Sequence, residues 1–176
     1  MEININTPLS EDVIESLKVG DSVLITGTIY SARDAAHKRL VELIKNGKEL
    51  PLEVKGSVIY YMGPSPAKPG QVIGSAGPTT SGRMDAYAPY LMDLGLKGMI
   101  GKGFRNEGVI NSMKKNKAVY FAAIGGAGAL IAKSIKSAEV IAYEDLGAEA
   151  IMKLYVEKFP AIVAIDCRGK SIYKRS

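Results

Sequence analysis

The sequence predicts an α/β domain, and three observations carry that expectation. Apolar residues make up 47% of the chain but aromatics only 7%, so the core must be built largely from Ile, Val, Leu and Ala. Short β-branched segments alternate with segments of helical periodicity along most of the chain. The 176 residues are enough for one domain with a full core, and no internal repeat or low-complexity linker divides them. The expectation is a single domain over residues 1–176, a mixed sheet with packed helices.

Each element has a local reason. Residues 10–17 read as a short helix with Ser10 as its N-cap. Residues 21–30 are rich in β-branched side chains and read as a strand. Residues 32–47 place Leu40, Leu43 and Ile44 on one helical face, take Ser31 as N-cap and stop at Asn46-Gly47. A second strong strand covers 57–62, and its closeness to the first allows some antiparallel pairing. After a Pro/Gly loop at 63–71, residues 72–76 read as a short strand and 82–95 as a helix that tolerates or kinks at Pro89. Strand 97–103, helix 106–115, strand 118–124, a Gly-rich segment at 125–135, strand 138–143, helix 147–156 and strand 161–166 complete the pattern.

Composition narrows the function classes. The net charge of +5 is spread out, and its densest cluster, Lys114, Lys115 and Lys117, reads as a solvated helix end. No basic stripe is interleaved with aromatics, which argues against nucleic-acid binding. The first residues are acidic and polar with no apolar stretch, and apolar runs elsewhere fall far short of the roughly 20 residues of a membrane span. A cytoplasmic protein without a membrane segment is expected. A lone cysteine, Cys167, leaves no intrachain disulfide and is expected to be a small buried residue at the end of the last core strand. With His37 as the one histidine, the two cannot close a metal site without carboxylates or another chain.

Four polar clusters fall where strands end: SARDAAH (31–37), GPTTSGRMD (77–85), IGKG (100–103) and GGAG (125–128). Ser31 and Asp34 suit a helix start, but Arg33 there opposes the helix dipole. Arg83 raises the same point beside hydroxyls. Two guanidinium forks at two helix starts would suit a substrate with two carboxylates. Lys102, between glycines, is a third cation, or else a solvated lysine on a tight turn. GGAG lacks the full dinucleotide spacing and fits close helix–sheet packing. The hydroxyls of Thr79 and Thr80 can bond a substrate. They act as a base only if neighbouring cations lower the pKa or a metal acidifies the substrate proton, and the chain supplies no metal ligands.

In this order and spacing, GDSVLITGTIYSARDAAHKRL, LPLEVKGSVIYYMGP, GPTTSGRMDAY, GMIGKG, AAIGGAGAL and FPAIVAIDCRGKSIY resemble the β subunit of the iron–sulfur hydro-lyases, the class I fumarase and L-tartrate dehydratase group. The resemblance covers roughly residues 5–172. It implies a swivelling β/β/α domain and a separate α chain that holds a 4Fe–4S cluster through three cysteines, in an α2β2 assembly. It implies that Arg33 and Arg83 clamp the carboxylates of a C4 dicarboxylate, that Thr79 is the catalytic base and that Lys102 binds substrate. Thr80 and Ser81 would be supporting hydroxyls, and Asp34, His37 and Asp85 would orient the arginines and the loop. The expected activity is the reversible hydration of fumarate to L-malate, a step of the tricarboxylic acid cycle, in concert with the α chain. The alternatives are an L-tartrate dehydratase β subunit, a stand-alone anion- or nucleotide-binding α/β protein using GPTTSG and GGAG, and a regulatory module of the same fold.

Overall fold

The computed structural model describes residues 2–123 and 128–173. Strand β1 (Glu2–Asn6) lies parallel to β2 (Ser22–Ser31), and the two are joined through helix α1 (Glu11–Ser16). As expected, the Ser10 hydroxyl caps α1 by accepting the Val13 N–H. Helix α2 (Asp34–Lys45) follows β2, then β3 (Val58–Tyr60), α3 (Ala88–Asp93), β4 (Gly98–Gly101), α4 (Glu107–Asn116) and β5 (Val119–Ala123). Helix α5 (Gly128–Ser134), β6 (Ile135–Ala142) and the long β7 (Ile151–Ile165) finish the chain.

Strands β1 to β5 pair in parallel, while β7 runs antiparallel to both β5 and β2. The sheet therefore closes into a five-stranded mixed barrel of β2, β3, β4, β5 and β7, with β1 and β6 as outlying strands. The expectation of a mixed sheet with packed helices holds, with this closure as the addition. Alternation along each strand splits the core in two. Val58, Tyr60, Ile100, Val119 and Phe121 join β7 residues Leu154, Val156 and Phe159 in one cluster. Ile59, Tyr61, Met99 and Tyr120 face the other way, onto Leu40 of α2, Leu91 of α3 and Val109 of α4.

Several local expectations are corrected. Residues 147–156 are not a helix. A 3-10 segment, Glu144–Glu149, breaks at Gly147, and β7 begins at Ile151. Residues 72–76 do not join the sheet, because their backbone turns back on its own loop: Ser65 N–H donates to the Ser75 carbonyl at 3.1 Å, and Ser75 N–H to Ser65 Oγ at 2.7 Å. The helix expected over 82–95 divides into a 3-10 turn, Ser81–Met84, and α3, which carries Pro89 in its first turn, where no N–H is needed. Ser31 stays in β2 and does not cap α2. Strand β1 was not anticipated. The GGAG segment at 125–128 lies, apart from the backbone of Gly128, outside the described residues. Cys167 is buried just past β7. Among the described residues no helix is long and apolar enough to cross a membrane.

Phe121 is completely buried at the centre of the first cluster. Phe121→Ala is expected to lower the free energy of unfolding by about 3–5 kcal/mol, read from the shift of a urea-unfolding midpoint.

Candidate functional site

The parallel strands β2, β3 and β4 finish at one end of the barrel, with Ser31 opposite Tyr60 and Tyr60 opposite Ile100. The backbone knits the segments that leave these ends. Ala32 N–H donates to the Tyr60 carbonyl at 3.1 Å, and Tyr61 N–H to that of Ile100 at 2.9 Å. Thr79 N–H donates to the Tyr61 carbonyl at 2.8 Å, and Ser81 N–H to that of Lys102 at 2.8 Å. Thr80 and Lys102 thereby form an isolated parallel bridge. Three segments far apart in sequence, 31–37, 79–85 and 100–103, thus share one end of the fold.

The side chains there sort by their bonding. Arg33 is the N-cap of α2, and its guanidinium lies across Gly63, where a Cβ would collide with Nη1 and Cδ. Arg83 does not start a helix. It sits in the 3-10 turn, half exposed, and donates from Nε to Asp34 Oδ2 at 2.9 Å. Among the described residues, the Arg33 guanidinium, the Lys102 ammonium and the Thr79 hydroxyl have no hydrogen-bonding partner, and Thr80 is exposed. Ser31 Oγ, Arg33 Nε, Asp34 Oδ1 and His37 Nε2 are all buried without a partner, and all belong to the junction of β2 and α2. An unmet buried polar group costs about 1–3 kcal/mol, and four of them lie in one stretch at the start of α2. The N-terminal amide of Ala35 is met by Glu149 Oε1, 3.2 Å away and 114 positions along the chain, in place of the expected Ser31 cap.

Beneath these groups lies a buried layer. Ser81 is fully buried, and its Oγ lies 2.7 Å from Tyr120 Oη, which also lies 2.9 Å from the Gly103 carbonyl oxygen. The carbonyl can only accept, so Tyr120 donates to it and Ser81 donates to Tyr120. A Cβ at Gly101 would collide with Ser81 Oγ, so glycine is required there. Asp85 orients neither Arg33 nor Arg83. Its Oδ1 accepts from Nε of the buried Arg105 at 2.6 Å, and its Oδ2 accepts the Asn106 N–H at 2.8 Å. His37 is fully buried with its Nδ1 2.8 Å from the Arg33 carbonyl, and burial lowers its pKa to about 4. It bonds the backbone of Arg33, not its guanidinium.

The whole chain, residues 1–176, matches the family described as Fumarase C-terminus. The chain belongs to that family. It is 40% identical to the anaerobic class I fumarate hydratase of Escherichia coli over 99% of this chain and 33% of that protein. It is 37% identical to fumarate hydratase 2 of Leishmania major, over 100% of this chain and 32% of that one. It is 38% identical to the putative L(+)-tartrate dehydratase subunit beta of Methanocaldococcus jannaschii, over 99% of this chain and 92% of that subunit. The chain thus spans about a third of the fumarate hydratases it matches and nearly all of the beta subunit. The resemblance read from the sequence is confirmed, and the chain is homologous to the C-terminal region of the class I fumarate hydratases.

The donor set of this fumarase C-terminus chain does not fit a metal cluster of its own. Among the described residues no three His, Cys, Asp or Glu side chains converge. Three cavities of about 620, 680 and 350 Å³ are lined by none of the site candidates. Arg105 is the residue that motif reading missed. The signal was an arginine directly before the Asn106 N-cap, with Asp85 as counter-charge inside a motif already singled out.

His37 yields a pH dependence. Its folded pKa of about 4 lies below the unfolded value near 6.5, so the unfolded chain takes up a proton first as pH falls. The stability that neutral His37 provides is complete above about pH 6.5 and is lost progressively down to about pH 4, by about 3 kcal/mol. Urea unfolding of the wild type and His37→Gln at pH 7 and pH 4 should show the variant losing about 3 kcal/mol less over that interval.

Proposed function

We propose that this chain is the β-type subunit of an iron–sulfur hydro-lyase and that it works with a cluster-bearing α chain in the reversible hydration of fumarate to L-malate. The observation that supports this most is the bonding state of the 79–102 surface. Among the described residues, two cations, Arg33 and Lys102, and the Thr79 hydroxyl have no partner at the strand ends of a chain homologous to class I fumarate hydratases. The full-length match to an archaeal beta subunit supports a separate α partner and keeps L-tartrate dehydration as the second reading.

In this mechanism Arg33 binds one carboxylate of the C4 substrate and Arg83 the other, with its Nη atoms free because Asp34 takes only Nε. Lys102 adds a third positive charge, and Thr80 an exposed hydroxyl beside it. In the dehydration direction Thr79 accepts the proton from carbon as the C–H bond breaks. The electron pair forms the C=C bond as the C–O bond breaks. The departing hydroxide takes up one proton from solvent to leave as water. Thr79 afterwards releases to solvent the proton it took from carbon, so the net change is loss of one water. The cations near Thr79 lower the cost of its alkoxide and stabilise the negative charge that builds on the substrate. The partner's 4Fe–4S cluster supplies a Lewis-acidic iron for the departing hydroxyl. Clamping both carboxylates makes the reaction effectively unimolecular.

The test is an anaerobic assay of this chain alone and then mixed with an iron-reconstituted α chain, on fumarate and on tartrate. Activity only in the mixture is expected, faster on fumarate. Faster tartrate turnover would move the assignment to the second reading, and no turnover with an intact cluster would reject both. In the active mixture, Arg83→Ala is expected to reduce kcat/KM by roughly 30- to 700-fold, about 2–4 kcal/mol of transition-state binding. Thr79→Ala should lower kcat far more than it raises KM. A change in KM alone would make Thr79 a binding residue.

A further inference from the structure

Arg105 is a buried cation with no task in this mechanism. Its Nε donates to Asp85 Oδ1 at 2.6 Å, its Nη2 donates to the Tyr61 hydroxyl at 3.2 Å, and its Nη1 lies 3.5 Å from Met99 Sδ. Its guanidinium carbon lies 5.2 Å from the Tyr61 ring centre and 4.9 Å from that of Tyr120. The contacts to Asp85, Tyr61 and Tyr120 lead to two turns. Asp85 closes the 3-10 turn that carries Arg83 and also accepts the Asn106 N–H, so Asp85 is bonded twice to the 105–106 segment. Tyr120 bonds Ser81 and Gly103, and the Tyr61 carbonyl holds the Thr79 amide. One guanidinium thus touches a carboxylate and two tyrosines that together hold residues 79–85 and residues 102–106.

Stability alone does not account for this arrangement. Taking a charge pair out of water costs several kcal/mol, and a well-packed apolar replacement is often equal or better. What an apolar side chain cannot do is fix direction: the planar fork bonds Asp85 and Tyr61 at set angles while stacking on two rings. We infer that Arg105 is a positioning residue that sets the spacing between Thr79 and Arg83 on one turn and Lys102 on the other, and that catalysis requires that spacing. The inference rests on the hydratase reading above.

The test uses Arg105→Met/Asp85→Asn, which removes both charges together and leaves neither buried alone, and Arg105→Lys, which keeps the charge without the fork. Hydrogen exchange of the β chain is read at the Ser81, Asp85 and Asn106 amides and at those of β2 and β7. The double variant should lose at least tenfold protection at the first three and keep it in β2 and β7. Mixed with the α chain, its kcat/KM should fall about 100-fold, the size expected for a misplacement of about 1 Å, with Arg105→Lys between it and the wild type. Protection lost uniformly would make Arg105 a general stabilising residue and overturn the proposal. Normal kcat/KM with locally lost protection would overturn it as well. An inactive wild-type mixture would reject the hydratase reading instead, and exchange alone would then decide whether Arg105 ties the turns.

Discussion

β7 pairs with β2 along one edge and with β5 along the other, and this double pairing holds the ends of the parallel strands in place. A mixed sheet with packed helices would leave β2 and β5 as distant strands free to twist relative to one another. Closure makes their separation a property of the barrel. β7 manages this through its length and a break. Residues Met152–Val156 pair with the second half of β2, Phe159–Ile162 with its first half, and the register shifts between Ile25 and Gly27. Lys158, with φ of 53°, lies between the two stretches. The strand ends that lead to Arg33, Thr79 and Lys102 are therefore held in part by the pairing of β7 with β2 and β5.

On this frame the polar groups form two layers with different energetics. The Arg83–Asp34 pair has side chains 51% and 32% exposed, so it adds at most about 1 kcal/mol and is better understood as aiming the guanidinium. The Arg105–Asp85 pair beneath it has side chains 0% and 10% exposed, so losing one partner would strand a charge in the core. Burial works against the Arg105 charge, but Tyr61 and Asp85 outweigh it and hold its pKa above the ordinary value. A half-exposed ion pair thus stands above a buried, fully bonded one.

Where local chemistry decides the structure, the sequence could be read. The Ser10 cap, the Asn46-Gly47 stop and a helix beginning near residue 106 appear as expected. The residues of RDAAH, GPTTSGRMD and GKG do share one end of the fold. Reading failed where distant partners decide. Residues 147–156 carry Ala, Glu, Met, Leu and Lys, all helix formers, yet Ile151, Leu154 and Val156 are buried by pairing with β2 and β6. Ser31 looked like a cap, but β2 continues through it and Glu149 meets Ala35 instead. Arg105 has the outward signature of a surface residue, because its acid lies 20 positions away and its stacking rings sit just past β3 and in β5. No window of adjacent residues contains that information.

Charge balance links the site to the class of molecule it would accept. The carboxylates around Arg33, Arg83 and Lys102 are already engaged, Asp34 by Arg83, Asp85 by Arg105 and Glu149 by the Ala35 amide, so among the described residues Arg33 and Lys102 have no ion-pair partner. Without a ligand these cations repel one another, and only their exposure to solvent keeps that repulsion small. A dianion with its charges at opposite ends of a short carbon skeleton would neutralise both, and a monoanion would leave one positive charge unmatched. Such a surface gains most once water is excluded, because the same attractions strengthen in a lower dielectric. Under the proposed hydratase reading, the wall that excludes water from these groups comes from the α chain. That is the physical reason why a surface of this kind, on a chain that spans a third of its fumarate hydratase relatives, reads as half of a site.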